Sequence, residues 1–377
     1  MGIPVCVPVI PKNAKKYVNA VIDKNWVSSL CLDPEVNYIK KLEEGFAAHV
    51  GVKYGIAITS GTTALHLAVN SLRIGPGDEV IVPTFTMIAT ASAVVNNGAI
   101  PVFVDADPKT WCLDPKLIEK VITKKTKAIM PVHIYGYPAD MDTIMDIAGR
   151  HNLYVIEDAA EGIGTEYKNR KVGGIGDIGC FSFYANKIVT SGEGGLLVTD
   201  NKEYAERAAM LKDQAFGMPR FIHREIGFNF RMNNLTAAYA YASFEEISEY
   251  VAKRIKNAEL YYKLLGDIEG LILPPAKSRG IVNSYWMYAI LIDKEKFGRS
   301  KNEVREMLKA NYGIETRDFF YPMHKQPVMI EKGYVSNTVS MPVSEYLWEN
   351  GLYLPSSTSL DEGQINCIAE ALHKLKR

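Results

Sequence analysis

Lys187 stands where a lysine could do chemistry. It follows an alternating run, Phe181-Ser182-Phe183-Tyr184, and precedes the glycine-rich turn that ends at Gly195. Two readings are open: a solvated surface amine, or an amine at a strand end inside a pocket. In the second, loss of water favours the neutral, nucleophilic form, which can condense with an aldehyde. Two other stretches bear on the choice. Tyr54 to Thr59 reads as a strand running into Ser60-Gly61-Thr62-Thr63 and a helix from Ala64 to Leu72. Free N–H groups and the helix dipole at such a start face an anion, and hydroxyls add donors; a plain helix cap would use the same residues. Leu153 to Glu157 reads as another strand, ending in Asp158-Ala159-Ala160-Glu161. Asp158 taken alone is as well explained as a helix cap.

The elements that would position these groups alternate. Strands are expected at 79–83, 100–104 and 127–132, with helices beginning near Thr86 and over 140–151. This alternation through residues 54–200 predicts an α/β domain with a mostly parallel sheet and helices on both faces. Ligands of such sheets sit outside the carboxyl ends of the strands, where Lys187, Asp158 and the Ser60–Thr62 turn all fall. A phosphate site, a carboxylate facing a ring nitrogen and an aldehyde-binding lysine together meet the needs of pyridoxal 5'-phosphate. GGIGDIG (173–179) contains a GxGxxG match, but a polar segment precedes it and a strand follows, so it reads as a loop and not a dinucleotide site.

Helices are also expected at 12–25, 35–50, 201–212 and 233–266, the last interrupted near Glu249. After Pro274-Pro275 a strand over 285–293, a helix over 300–312, a short strand near Thr316 and a helix over 361–376 form a smaller α/β unit. The expected division is a large domain over 1–250 and a small one over 251–377. Forty-three basic residues balance forty-three acidic ones, which gives no support for a nucleic-acid or membrane-surface partner. Five scattered cysteines without a CxxC pair indicate neither a zinc site nor a disulfide framework, and the cytoplasm is the expected compartment. No signal peptide or myristoylation pattern is read at the start. The uncharged stretch Val80 to Val104 is broken by Pro83, Asn96-Asn97-Gly98 and Pro101 into strand, helix and strand.

Six motifs in order carry a resemblance: TSGTTALHLA (59–68), GDEVIVPTFT (77–86), VIEDAAEGIGT (155–165), SFYANKIVTSGEGG (182–195), GFNFRMNNL (227–235) and FFYPMH (319–324). From about Pro4 to its end the chain resembles the sugar aminotransferases of the DegT/DnrJ/EryC1/StrS family, pyridoxal-phosphate enzymes of fold type I. The resemblance implies an aspartate-aminotransferase-like fold. It makes Lys187 the Schiff-base lysine, Asp158 the partner of the pyridine nitrogen and Glu161 a neighbour of the cofactor's phenolic oxygen. Gly61, Thr62 and Ser182, with Ser60 in the same turn, match phosphate ligands. Asn229 matches a phosphate ligand that the family supplies from the neighbouring subunit, which implies a homodimer with shared sites. Met87 occupies the place where the family commonly stacks an aromatic ring on the cofactor; a thioether packs there at modest cost. Phe85, two residues away, is not taken to replace it.

The WVSS opening (26–29), the Asn186-Lys187 pair and FFYPMH look most like the members that aminate C4 of GDP-4-keto-6-deoxymannose to give GDP-perosamine for O-antigen or related glycans. The implied partners are L-glutamate, released as 2-oxoglutarate, and the nucleotide sugar. Arg231, Tyr321 and His324 are candidates for nucleotide or sugar contacts, with core packing the competing reading for the last two; His133 reads as structural or cofactor-adjacent. The alternatives are a dTDP- or UDP-linked 4-keto sugar, amination at C3, a cofactor-dependent dehydratase, or a nucleotide-sugar sensor without turnover. The last two would be expected to lack Lys187 or Asp158.

Overall fold

The structure, a computed structural model, describes residues 2–276 and 278–377. Seven strands form its central sheet: β1 (Tyr54–Ile58), β2 (Glu79–Pro83), β3 (Ile100–Val104), β4 (Thr126–Ile129), β5 (Tyr154–Asp158), β6 (Ile178–Ser182) and β7 (Gly195–Thr199). Their order is β1-β7-β6-β5-β4-β2-β3. β7 pairs antiparallel with both neighbours and the remaining pairs are parallel, so the sheet is mostly parallel as the alternation predicts. β6 and β7 are buried along their whole length, as expected for strands covered on both faces. β4 is shorter than the predicted 127–132 strand, and Val132 adds only an isolated bridge to Asp158.

On the faces lie α1 (Ala14–Asp23), α2 (Tyr38–Val50), α3 (Gly61–Ser71) and α4 (Ile88–Asn96), followed by α5 (Met141–His151) and α6 (Lys202–Lys212). The uncharged stretch is therefore β2, α4 and β3, and no helix among the described residues is long and apolar enough to cross a membrane. The long predicted helix is two, α7 (Asn234–Glu245) and α8 (Ile247–Leu265), broken at Glu246 (φ −99°, ψ 9°).

A second, antiparallel sheet orders Leu271–Ile272, Tyr288–Ile292, Gly351–Leu354 and Arg317–Asp318. With Lys301–Tyr312 and Glu362–Leu375 it builds its own apolar cluster around Leu308, Leu354 and Leu372. Ile3 joins that cluster, and its N–H donates to Gly313 O at 2.9 Å. The helix Pro342–Asn350 and the strand Gly351–Leu354 were not foreseen in the sequence.

Candidate active site

Strand register brings the predicted groups together. Ile58 at the end of β1 and Ser182 at the end of β6 both lie opposite Gly195, and Asp158 ends β5 opposite Cys180. Around these ends is a cavity of about 370 Å³ lined by Ser60, Gly61, Asp158, Glu161, Ser182 and Lys187, among others. That is within the size range of small-ligand pockets.

α3 opens on the cavity. Ser60 caps it, accepting from Thr63 N–H at 3.1 Å, while Thr63 Oγ1 accepts from Ser60 N–H at 3.0 Å. Reciprocal capping uses those two donors and leaves the Gly61 and Thr62 N–H groups without intrahelical partners. They offer the anion site expected of a helix start. A Cβ on Gly61 would lie 2.8 Å from Ser182 Cβ, so only glycine lets helix and strand approach this closely.

The acidic wall is built from β5 and the turn after it. Asp158 is 4% exposed and accepts from Thr90 Oγ1 at 2.7 Å and from Ala160 N–H at 3.2 Å. Burial nevertheless raises its carboxyl above the ordinary range, against Thr90, Ala160 and the Lys187 charge. Glu161 Oε2 accepts from Tyr135 N–H at 2.7 Å, and burial raises this carboxyl too, opposed by Lys187. Lys187 shows the reverse: burial lowers its amine, against the pull of Glu161 and Asp158. Among the described residues Lys187 Nζ has no hydrogen-bond or ion-pair partner; it lies 3.4 Å from the centre of the Trp286 ring. A desolvated amine with no partner is free to bond a ligand.

The other predicted residues divide. Thr62 and Met87 line the cavity; Met87 is 47% exposed and its sulfur accepts from Ala89 N–H at 3.0 Å. Phe85 turns inward after β2 ends and packs with Tyr135 and Phe319. Asn229 and Arg231 lie elsewhere. Asn229 Oδ1 accepts from Arg231 Nη2 at 2.9 Å, Arg231 pairs with Asp213 at 2.7 Å, and the arginine faces a separate groove beside Leu30 and Met218. Tyr321 is half out in solvent with its ring edge-on to Trp348. His324 is fully buried, with Nδ1 2.7 Å from Thr84 Oγ1 and Nε2 2.9 Å from Glu345. Both ring nitrogens are occupied, and the expectation of a sugar contact is corrected: this histidine anchors the 319–324 segment to the end of β2.

His133 is likewise enclosed, its Nε2 3.0 Å from Glu157 and its Nδ1 accepting from Ala139 N–H at 3.2 Å. Glu157 also accepts from the N–H groups of Gly173, Ile175 and Gly176 at 2.6–2.7 Å. Burial works to raise that carboxyl, but His133 and the loop donors outweigh it and leave it below the usual range. The GGIGDIG segment is thus an anion cradle for an internal carboxylate.

Several cavity residues escaped the sequence reading. Trp286, Arg317, Phe320 and Tyr353 come from the C-terminal third, and Tyr184 and Glu193 flank Lys187. No local pattern marks Trp286, Arg317 or Tyr353, which only the tertiary fold brings in; Phe320 lies inside FFYPMH, where it had no cavity role. Thr90 is visible only as one threonine of a small-residue helix.

The donor set suits a cofactor with an anionic group, a basic ring nitrogen and an aldehyde: α3 for the anion, Asp158 for the nitrogen, Lys187 for the aldehyde. The comparisons with known proteins agree with this chemistry. The model of the DegT/DnrJ/EryC1/StrS aminotransferase family matches residues 8–373. A GDP-perosamine synthase from Escherichia coli O157:H7 is 41% identical over 373 residues, covering 99% of this chain and 98% of that protein. One from Caulobacter vibrioides is 39% identical over 374 residues, with 99% and 98% covered. Among solved structures, S. venezuelae DesV in complex with a ketimine intermediate superposes with a TM-score of 0.89 at 32% identity, covering 97% of this chain and 95% of that one.

Proposed function

Because the chain belongs to the DegT/DnrJ/EryC1/StrS aminotransferase family, we propose that it moves the amino group of L-glutamate to C4 of a nucleotide-linked 4-keto-6-deoxy sugar with the aid of pyridoxal 5'-phosphate. The observation that carries this reading is the meeting of Lys187, Asp158 and the start of α3 in one cavity. The substrate is GDP-4-keto-6-deoxy-D-mannose and the product GDP-perosamine, supported by the near full-length likeness to two proteins of that name.

When bound, the cofactor supplies an electron sink for the pair released as a C–H bond breaks. Gly61 and Thr62 N–H, with the Ser60 and Ser182 hydroxyls, would hold its phosphate, and Lys187 would hold its aldehyde carbon. Asp158, ionised, would keep the proton on the ring nitrogen. Glu161, in the turn after β5, would face the same ring, and Met87 would pack against it. Once free, Lys187 Nζ accepts the proton that leaves C2 of L-glutamate, and in the second half gives one to C4 of the sugar. Phe320, Trp286 and Tyr353 wall the cavity against water.

The enzyme works in the cytoplasm as a homodimer. Leu30 and Met218 (88% exposed) flank the groove that holds Arg231, a face suited to a second copy, whose Asn229 would reach the cofactor phosphate of this one. Arg231 then serves the nucleotide phosphates from the same side. Residues 1–250 form the cofactor domain and 251–377 the smaller one.

The test is incubation of purified protein with L-glutamate and GDP-, dTDP- and UDP-linked 4-keto-6-deoxy sugars, with product identified by mass and NMR. Amination of the GDP sugar is expected; amination of only another member reassigns the nucleotide, and amination of none defeats the reading. Borohydride should tie the cofactor to the Lys187 peptide and to no peptide in Lys187→Ala; a tag elsewhere in wild type would overturn the role of Lys187.

A further inference from the structure

Trp286 is fixed at both ends. Its side chain is buried, with only 4% of the residue exposed, and its indole N–H donates to Asn186 O at 3.0 Å, the carbonyl just before Lys187. Its own carbonyl accepts from Arg254 Nη1 at 3.0 Å. Arg254 is 3% exposed and donates through Nε to Thr358 Oγ1 at 2.9 Å, with no carboxylate in ion-pair range among the described residues. A buried guanidinium that donates to two neutral oxygens, with the Cys6 side chain beside it and no carboxylate, is a costly arrangement. Here it clamps the Trp286 backbone while the indole N–H clamps the ring. Tyr135 stacks behind, with ring centres 6.3 Å apart at 28°.

The clamped ring presents its face to the Lys187 amine at 3.4 Å. The other charged or titratable groups facing that amine are Glu161 and Asp158 from the end of β5 and Cys6 on the N-terminal segment. Glu193, Tyr184, Arg317 and Tyr353 also line the cavity. None of them hydrogen-bonds Lys187 Nζ in this state. An aromatic face attracts an ammonium ion, most strongly where water is excluded. We propose that Trp286 is a positioning residue, the rest on which the free Lys187 ammonium is held between the bond-making steps of the cycle. The ring then sets two properties: the place from which the amine returns to the reacting carbon, and the proton affinity with which it does so.

The proposal rests on Lys187 being the reactive amine of the reading above, so its test is made without cofactor or turnover. Trace labelling of the full-length cofactor-free protein with acetic anhydride across a pH series, read on the Lys187 peptide by mass spectrometry, gives the midpoint at which the amine becomes neutral. The expected order of midpoints is wild type, then Trp286→Phe, then Trp286→Leu, the last lower than wild type by about half to one pH unit. Protein made with fluorinated tryptophan keeps the ring's shape and weakens its face, and its midpoint should also fall. A Leu variant with wild-type circular dichroism and an unmoved or raised midpoint overturns the proposal. If the Leu variant does not fold, the Phe variant and the fluorinated protein decide: no downward shift in either has the same consequence. These results leave the aminotransferase reading untouched, since that fails only if Lys187 carries no cofactor or no sugar is aminated.

Discussion

Thr90→Val isolates the contact that keeps Asp158 ionised. Thr90 Oγ1 gives its only proton to Asp158 Oδ2 at 2.7 Å, so at the 2.9 Å contact between Thr86 and Thr90 the donor is Thr86. The two hydroxyls form a one-way chain that ends on the carboxylate. A hydrogen bond to a charged group contributes about 1.5–3 kcal/mol. At about 1.4 kcal/mol per pKa unit, losing it raises the Asp158 carboxyl by about one to two units. Burial already holds this group above the ordinary carboxylate range, so removal of the donor moves it further toward neutrality. Only the ionised form can hold the ring-nitrogen proton, and that form is lost as pH falls through the folded-state pKa. The acid limb of the L-glutamate half-reaction, followed by stopped-flow absorbance, should therefore shift upward in pH by about one to two units, converted from that bond energy. Valine keeps threonine's shape but withdraws a donor from a buried carboxylate, so the melting temperature should fall as well. Thr90→Ser retains the hydroxyl and should restore the wild-type limb. An acid limb that stays in place in Thr90→Val, or that moves equally in Thr90→Ser, refutes the role given to this contact.

Gly61→Ala should lower the melting temperature and weaken cofactor binding together, because a Cβ 2.8 Å from Ser182 Cβ overpacks the junction by about 1–3 kcal/mol; calorimetry and cofactor titration that both match wild type would reject this. Arg317 is a cation of the cavity wall with no carboxylate partner among the described residues, so Arg317→Ala should raise the KM of an anionic substrate about 10- to 100-fold, the equivalent of one charge-assisted hydrogen bond. Separate half-reactions identify whether L-glutamate or the nucleotide sugar is affected, and Arg317→Lys should recover only part. Glu161→Gln should stabilise the cofactor-free protein above neutral pH. Burial raises the Glu161 carboxyl, so its contribution to stability is whole below the ordinary carboxylate pKa and falls as pH rises through the raised value. Denaturant curves should show the variant's advantage at pH 8 and little or none at pH 4, and a constant gap across that range would contradict the assignment.

The legible part of this molecule is the part whose causes are local. β1 and α3 announce themselves through an apolar run that breaks into Ser60-Gly61-Thr62-Thr63, and Asp158 and Lys187 each follow a strand end that the same kind of run marks. Three such ends converge because a parallel sheet brings its carboxyl edges to one side, so a site could be drawn from chain order alone. The walls could not. Trp286 meets Asn186 across a hundred positions of sequence, and nothing near Trp286 or Arg254 records that they clamp each other. His324 stayed open between a sugar contact and core packing for a related reason: its partner Glu345 lies on the unforeseen helix Pro342–Asn350, and a histidine in an aromatic-rich motif looks like a ligand until that helix is in place. GGIGDIG carries the same lesson in another form. Its backbone donors do bind an anion, as glycine-rich loops commonly do, but the anion is Glu157, one residue before Asp158. The loop fixes the end of β5 from behind while Thr90 fixes it from the front. The precision of the Asp158 carboxylate therefore comes from the loop donors on Glu157 together with Thr90 on Asp158 itself, and a motif that binds no ligand helps aim the residue on which the chemistry turns.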